Sequence, residues 1–283
     1  MHRTETTTAA DWLTACRQAT EAIRAMLAER PTTLERAVET GTRGSGGDYT
    51  LEIDRAAEAI VFAELQRLYD EGHRFGAISE ERGAVDFGGG DALVVIDPID
   101  GSLNAKRGLA HHALSVAIAS GSTMAAVEFG YVYDFGTAEE WSARAGGGAF
   151  LNGRPLDPSI GERRGPTGKL EVLGIESADP RWLKDMIDPL VDHAYRLRAL
   201  GAVAPSLCQV AAARLDGLIS LRACRAVDAA AAQLIVREAG GLVSFPRFED
   251  PLGAPLDLVP HSPVVAARTA ATLAELELMC LPR

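Results

Sequence analysis

The stretch VVIDPIDGSLNAKRG, residues 94–108, places two acids at the end of a short apolar run. Asp97 and Asp100 flank a proline and an isoleucine, although a carboxylate is a costly residue at the end of a buried strand. Pro98 stiffens the turn, and residues three apart in a turn can point to the same side. Both carboxylates can therefore face one pocket, with the carbonyl oxygen of Ile99 between them as a further oxygen ligand.

Gly101 and Ser102 follow these acids directly. Glycine lets the backbone come close to a ligand, and Ser102 is predicted to begin a helix whose free N–H groups attract a phosphate. Two metal ions about 3.5–4 Å apart beside such a phosphate site are a template for in-line hydrolysis of a phosphate ester. The stretch therefore predicts acids that hold metal, although a DPxDG sequence on its own is often only a surface turn.

Further acids stand at the ends of predicted elements, at Asp54, Glu80, Glu81 and Asp228. Taken singly, the Glu80-Glu81 pair fits a solvated strand end. Asp54 and Asp228, taken singly, fit helix N-caps. Few basic residues stand beside these acids in the sequence, and a carboxylate near a core must be paired, neutralised or bound to a metal. Hard oxygen ligands without His or Cys favour Mg²⁺ or Mn²⁺ over zinc, so the combination predicts a metal site of that kind.

The composition limits the classes of partner. The 283 residues are 47% hydrophobic, which is enough for a large core in one domain or in two packed halves. With 39 acidic and 28 basic residues the net charge is −11, and such a surface repels nucleic acid and anionic lipid. The cysteines are far apart, the N-terminus lacks the apolar segment of a signal peptide, and no apolar run reaches the roughly 18 residues of a membrane span. We predict a soluble cytoplasmic protein without nucleic-acid or membrane partners.

Hydrophobic spacing predicts the elements of the first half of the chain. Residues 9–29 are predicted to form a helix, with Thr8 and Asp11 as a capping box in front of it. The glycine-rich segment 41–47 predicts a mobile loop. A second helix is predicted to begin at Asp54, and short strands with hairpin turns follow, so this half is predicted to be α+β with a largely antiparallel sheet.

A polar segment rich in Gly and Pro, residues 156–169, predicts the boundary between two domains. The N-terminal domain, 1–160, would carry Asp54, Glu80 and the DPIDGS motif, and the C-terminal domain, 161–283, would carry Asp228. In the second half strands alternate with helices, which predicts an α/β domain with mainly parallel strands.

Five segments resemble motifs of the inositol monophosphatase / fructose-1,6-bisphosphatase superfamily of magnesium-dependent, lithium-sensitive phosphatases. Two of them resemble the family's signatures DPIDGTxNF and WDxAAGxLIVxEAGG, in the family's order. The resemblance implies a layered αβαβα sandwich, a homodimer, and two or three Mg²⁺ ions per active site, with Mn²⁺ as a substitute. The segments are SEERG (79–83), IDPIDGSLN (96–104), ARAGGGAFLNGRPL (143–156), LGAVAPSLCQVAAARLDGLISL (200–221) and VDAAAAQLIVREAGG (227–241).

The resemblance also implies a role for each matching residue. The first metal would be held by Glu80, Asp97 and the carbonyl of Ile99, and a third, weaker one by Glu80 and water. The second would be held by Asp97, Asp100 and Asp228. Asp54 and Ser102, with Glu80 as a further catalytic residue, would orient and deprotonate the attacking water. Substrate contacts would come from Gly101, Ser102, Leu103, Gly201, Ala202, Val203 and Arg222.

The departures from the family pattern bear on the substrate. Ala105 replaces the signature's Phe, and Val227 replaces its Trp. The position of the inositol-binding Glu of animal-type enzymes is Leu221, and the adjacent Arg222 fits either a second phosphate or a plain surface arginine. The loop GSGGDYTLEID is closer to the archaeal-type dual-specificity branch, which acts on inositol 1-phosphate and fructose 1,6-bisphosphate.

Other functions stay open at this point. Asn104 argues against the nucleotide 3′-phosphatase and histidinol-phosphatase branches, which tend to have Lys there. A non-catalytic metal-binding scaffold is the alternative outside the enzymes, although a scaffold has no need of the water-activating pair. His111 and His112 have no partner at ligand spacing and are predicted to be structural or exposed. We expect a small phosphorylated metabolite as the substrate.

Overall fold

The structure is a computed structural model that describes residues 9–45 and 49–280. The capping box predicted from Thr8 and Asp11 lies outside the described residues and side chains. The predicted first helix begins by Ala9 and ends at Ala28. Within the described residues, none of the helices is long and apolar enough to cross a bilayer.

The described residues form helices and strands in alternation, with one short 3₁₀ turn at Met124–Ala126. The helices are α1 Ala9–Ala28, α2 Thr33–Arg36, α3 Glu52–Asp70, α4 Ser102–Arg107, α5 Pro180–His193, α6 Val203–Ala211, α7 Ala226–Glu238 and α8 Ala270–Cys280. The strands are β1 Glu39–Arg43, β2 Tyr49–Leu51, β3 Phe75–Ser79, β4 Gly83–Phe87, β5 Leu93–Asp100, β6 Ala113–Ala119, β7 Val127–Asp134, β8 Glu139–Arg144, β9 Gly148–Leu151, β10 Arg154–Pro155, β11 Leu170–Glu176, β12 Ala194–Arg198, β13 Gly217–Ser220, β14 Leu242–Ser244 and β15 Val265–Ala267.

These elements stack in five layers. Helices α1 and α3 pack on one face of an eight-stranded sheet, and α6 and α7 pack on its other face. The far side of α6 and α7 meets a five-stranded sheet, whose outer face is covered by α5 and α8. The predicted αβαβα sandwich is confirmed.

The eight-stranded sheet has the order β10-β9-β8-β7-β6-β5-β3-β4 and is antiparallel except for the pair β3 and β5. The largely antiparallel sheet is therefore confirmed. In the parallel pair Ser79 lies opposite Ile96, so the residues that follow, Glu80 and Asp97, come out at the same edge. The pairing of β5 with β6 shifts register between Asp97 and Asp100, and such an irregularity re-aims side chains at a strand end.

The five-stranded sheet has the order β12-β11-β13-β15-β14. Strands β12, β11 and β13 are parallel, but β15 runs antiparallel to both of its neighbours, so the prediction of mainly parallel strands is wrong for this edge. The segment between β14 and β15 contains no helix, and a parallel neighbour needs a crossover. Strand β12 was not predicted because it is an edge strand whose side chains are exposed or half-buried without apolar alternation.

The alanine-rich helix α7 lies at the centre of the core, between the two sheets. Its small side chains let it approach β7 closely, because a Cβ on Gly130 would stand 2.5 Å from the carbonyl oxygen of Ala231. One hydrophobic cluster joins strand residues such as Val95 to helix residues such as Leu207 and Ile235. The division into domains at residue 160 stays a prediction.

The segment predicted as a mobile loop is partly a strand. Residues 41–43 belong to β1, which pairs antiparallel with β2. Gly41 has φ +77°, and the ladder is irregular between Glu39 and Arg43, so glycine here shapes an uneven strand. Residues 46–47 lie outside the described part of the chain.

Candidate active site

The structure brings the predicted acids together at one edge of the eight-stranded sheet. Glu80 follows β3, and the last part of β5 carries Asp97 and Asp100. Helices α3 and α7 bring Asp54 and Asp228 in their first turns. The aspartates are buried, and the side chain of Glu80 is 14% exposed.

Two adjacent cavities open beside these acids. The first cavity, about 410 Å³, is lined by Asp54, Glu80, Glu81, Asp97, Ile99, Asp100, Gly101, Ser102, Leu103 and Lys106, together with Gly201 and Arg225. The second cavity, about 520 Å³, is lined by Asp100, Asn104, His111, Glu176, Gly201, Ala202, Val203, Arg225 and Asp228, among others. Asp100, Gly201 and Arg225 belong to both linings, so the predicted metal ligands are divided between the two cavities and Asp100 is common to both.

Asp54 and Asp228 are not the N-caps of their helices but lie in the third helical position. Asp228 Oδ2 accepts the backbone N–H of Arg225 at 3.0 Å, and Asp54 Oδ2 accepts that of Leu51 at 3.3 Å. Each carboxylate therefore satisfies a free N–H at its own helix start with one oxygen. The other oxygen of Asp54, Oδ1, is buried and has no hydrogen-bond partner among the described residues.

The acids of β5 are held by backbone N–H groups. Asp97 Oδ1 accepts the N–H of Ile99 at 3.0 Å. Asp100 Oδ2 accepts the N–H of Ala204, in the first turn of α6, at 2.6 Å. The Ser102 hydroxyl donates to the carbonyl oxygen of Ile99 at 3.0 Å. The end of β5 is thus held in place by hydrogen bonds within the chain.

Burial makes negative charge expensive at Asp54, Glu80, Asp97 and Asp100. Burial raises the pKa of Asp97 and of Asp100 well above the ordinary value. Repulsion from Glu80 raises the pKa of Asp97 further, and repulsion from Asp228 does the same for Asp100. Burial also raises the pKa of Glu80 and of Asp54 to about 7. Desolvated carboxylates in one place are stable as anions only when positive charge is supplied.

This donor set fits a hard divalent cation. The oxygens come from carboxylates and one backbone carbonyl, the ligands that Mg²⁺ prefers. The partnerless Asp54 Oδ1 in the same cavity points to a further ligand such as water. Within the described residues, no three Asp, Glu, His or Cys side chains surround a common point closely enough to grip an ion. A guanidinium lies beside two of these acids, Glu80 and Asp228.

That guanidinium belongs to Arg225, which sequence reasoning missed. Its Nη1 lies 2.7 Å from Glu80 Oε1, and its Nη2 lies 3.4 Å from Asp228 Oδ1. The acids were expected to have few basic partners, and this guanidinium is one that the sequence did not single out. The spacing of Arg225 and Asp228 across a helix start was a visible signal for the second contact, but the contact with Glu80 joins residues far apart in sequence.

The predicted phosphate loop is closely packed against a second loop. Gly101 has φ +86°, and a Cβ there would stand 2.8 Å from the Cβ of Ala202. The Asn104 amide donates to the carbonyl oxygens of His111 at 2.9 Å and of Leu200 at 2.7 Å. Gly101, Ser102 and Leu103 line the first cavity, and Ala202 and Val203 line the second.

Arg222 lies in the lining of neither cavity. Its guanidinium stands over the ring of Trp182, 4.9 Å from the ring centre. The Arg222 side chain is exposed, as a surface arginine would be, and its contact with substrate stays a prediction.

Two further residues of the second cavity were not singled out as site residues. Buried Glu176 accepts the Ser206 hydroxyl at 2.5 Å and the N–H of Leu200 at 3.0 Å. His111 Nδ1 lies 2.9 Å from Asp134 Oδ2. The hydrogen bond with this carboxylate raises the pKa of His111. His112, by contrast, is buried with Nδ1 at 3.0 Å from the carbonyl oxygen of Leu109, as a structural residue would be.

Solved structures define the class of fold. The extragenic suppressor protein suhB of Bartonella henselae superposes with a TM-score of 0.75 at 25% identity, over 96% of this chain and 97% of that one. An inositol monophosphatase–fructose 1,6-bisphosphatase superposes with a TM-score of 0.76 at 26% identity, over 93% and 98%. The molecule is thus a protein of the inositol monophosphatase fold.

Sequence comparison then gives the family. The chain belongs to the inositol monophosphatase family, whose model matches residues 5–278. It is 38% identical to the fructose-1,6-bisphosphatase/inositol-1-monophosphatase of Thermococcus kodakarensis, over 76% of this chain and 77% of that protein. It is 35% identical to Nus factor SuhB of Escherichia coli K12, over 74% and 75%. The family resemblance seen in the motifs is confirmed.

Proposed function

We propose that the protein is a Mg²⁺-dependent phosphomonoesterase that hydrolyses a small sugar or inositol phosphate, namely inositol 1-phosphate, fructose 1,6-bisphosphate or both. The observation that carries the proposal is the first cavity, where a partnerless carboxylate oxygen of Asp54 shares the lining with buried acids and the Gly101–Leu103 backbone. Membership of the family and the name of the Thermococcus relative support it.

The acids of β3, β5 and α7 would hold the metal. Glu80, Asp97 and the Ile99 carbonyl form one ligand set, and Asp97, Asp100 and Asp228 form the other. Bound Mg²⁺ lowers the pKa of water and neutralises charge on phosphoryl oxygens and on the leaving alkoxide. Mn²⁺ is the expected substitute because it accepts the same oxygen ligands.

Asp54 and Ser102 would act on the attacking water. The buried Oδ1 of Asp54 is free to accept a hydrogen bond from a water molecule, and a pKa of about 7 suits a general base at neutral pH. The Ser102 hydroxyl is fixed by the Ile99 carbonyl and can accept from the same water. Both groups would therefore orient the water, and the Asp54 carboxylate would receive its proton.

The phosphate and the leaving group would occupy the two neighbouring cavities. N–H groups at the start of α4, from Gly101, Ser102 and Leu103, would hold the phosphoryl oxygens. The second cavity, with Gly201, Ala202 and Val203 in its wall, has room for the sugar or polyol. Arg222 would have to swing from Trp182 to reach a distal phosphate. We further propose that the protein works in the cytoplasm as a lithium-sensitive homodimer.

The test is phosphate release from inositol 1-phosphate and fructose 1,6-bisphosphate, with and without Mg²⁺. We expect Mg²⁺-dependent turnover that is lost in Asp97→Asn and kept in Asp91→Asn, since Asp91 is an exposed residue just before β5. The preferred ester would identify the branch. Mg²⁺ binding without release of phosphate from these esters, from nucleotide 3′-phosphates or from histidinol phosphate would contradict the proposal and favour a metal-binding scaffold, an alternative that matters because relatives are named Nus factors.

A further inference from the structure

Arg225 contacts two acids, one from the first half of the chain and one from its own helix start. It stands directly before α7, and only 18% of its side chain is exposed. One guanidinium nitrogen contacts Glu80 at 2.7 Å, and another lies 3.4 Å from Asp228 Oδ1. The backbone N–H of Arg225 donates to the second oxygen of Asp228 at 3.0 Å. The side chain of Arg225 thus contacts both Glu80 and Asp228, and its backbone N–H binds Asp228 as well.

Arg225 lies in the wall that separates the two cavities. The first cavity also contains Lys106 and the second also contains His111, but Arg225 is the basic residue that lines both. It shares that dividing wall with Asp100 and Gly201. A guanidinium there borders the space for the phosphoryl group and the space for the leaving group.

Arg225 supplies the kind of charge that the acids lack. It is the group that lowers the pKa of Glu80 against the effect of burial, and it also lowers the pKa of Asp97. A divalent cation would bring positive charge to the same carboxylates. Because a carboxylate lone pair that accepts a guanidinium N–H cannot bind a metal ion at the same time, the two cations would compete.

We propose that Arg225 is an internal counter-ion of the metal site, which positions Glu80 and Asp228 before metal binds and competes with the metal for their oxygens. The inference rests on the proposed function only in taking Glu80 and Asp228 as metal ligands. Once a metal ion bound these oxygens, the guanidinium would no longer pair with them and would stay in the wall between the two cavities. Its planar, two-pronged donor set then suits phosphoryl oxygens of the substrate.

Calorimetric titration of the metal-free full chain with MgCl₂ tests the competition without any turnover. In Arg225→Ala the Kd for Mg²⁺ is expected to be about tenfold lower than in the wild type, which corresponds to about 1.4 kcal/mol. Arg225→Lys keeps the charge but not the two-pronged geometry, so its Kd is expected to fall between the two. The matched control is Arg196→Ala, which removes an exposed guanidinium that stacks on Tyr195 away from both cavities, and it is expected to bind Mg²⁺ as the wild type does.

Thermal unfolding of the same samples gives a second measurement. Arg225→Ala is expected to have a lower Tm than the wild type without metal, and to gain more from saturating Mg²⁺. A Kd for Mg²⁺ in Arg225→Ala that equals or exceeds the wild-type value overturns the proposal, and Arg225→Lys provides the same comparison if the alanine variant does not fold. If the wild type hydrolyses the esters but the Arg225 variants have the same Kd for Mg²⁺ as the wild type, this inference is wrong and the proposed function stands. Wild-type protein that binds Mg²⁺ but releases no phosphate contradicts the proposed function, and the Kd comparison still decides the role of Arg225.

Discussion

Replacing Gly101 by alanine is expected to damage stability and the candidate site together. Gly101 has φ +86°, and a Cβ there would stand 2.8 Å from the Cβ of Ala202 and 2.9 Å from the carbonyl oxygen of His111. The His111 carbonyl is fixed by the Asn104 amide, and Ala202 directly precedes α6. No flexible side chain can move aside, so the backbone of the two loops must separate.

The size of the effect follows from two costs. A left-handed backbone costs a residue with a Cβ about 1–2 kcal/mol, and overfilling a packed wall adds about 1–3 kcal/mol. For a chain of this length the entropy of unfolding is about 0.6 kcal/mol per kelvin. The Tm is therefore expected to fall by about 3–8 °C. Gly146→Ala is the matched control because Gly146 has φ +71° with nothing within 4 Å of its Cβ position, so only the first cost applies.

Scanning calorimetry of both variants, with phosphate release on the same samples, separates the two costs. We expect Gly101→Ala to lose more Tm than Gly146→Ala and to lose catalytic efficiency as well, because the separated loops carry the predicted phosphate contacts. Equal Tm values for the two variants would show that the contact with Ala202 and His111 carries no cost and would refute the reasoning.

Two further predictions concern single side chains of the cavities. Asp54→Asn is expected to slow phosphate release by about 10²- to 10⁴-fold without lowering the Tm, because it neutralises a buried carboxylate whose pKa burial has raised to about 7; Glu52→Gln, which removes a charge paired with Arg55 at the same helix start, is the control. Full activity in Asp54→Asn would contradict the role given to its free oxygen. The contact with Asp134 raises the pKa of His111 above its ordinary value of about 6.5, so the contact contributes stability that is complete below that value and is lost as the pH rises through the folded-state pKa. The Tm advantage of the wild type over His111→Asn should therefore shrink as the pH rises above about 6.5. Asparagine tolerates the left-handed backbone of this position, where φ is +63°, and an advantage that does not change with pH would exclude the linkage.

The sequence predicted what depends on local spacing. Asp97, Ile99 and Asp100 line one cavity as expected, although the segment predicted as a turn is the irregular end of β5. Ser102 begins a helix as predicted. The antiparallel first sheet also followed from alternating apolar residues and hairpin turns. The layered packing came from the family resemblance, since periodicity tells which face of an element is buried but not which element covers it.

The missed features depend on contacts between distant segments. Arg225 and Glu80 meet because α7 packs against β5, the neighbour of the strand that ends at Ser79. Strand β12 has little apolar pattern because it pairs on one edge alone. The mixed direction of the second sheet reflects a return segment, residues 245–264, that contains no helix. No local pattern encodes any of these three.

The geometry of the strands and helices explains why buried acids are tolerated at this edge. In an otherwise antiparallel sheet, only β3 and β5 are parallel neighbours, so their carboxyl ends place Glu80 and Asp97 side by side. Helices α3 and α7 bring Asp54 and Asp228 in their first turns, and α6 binds Asp100 through a first-turn N–H. Helix N-termini carry partial positive charge, which stabilises each carboxylate but is too small to cancel it. The remaining negative charge is what attracts a stronger cation, and Arg225 is the one that the chain itself provides.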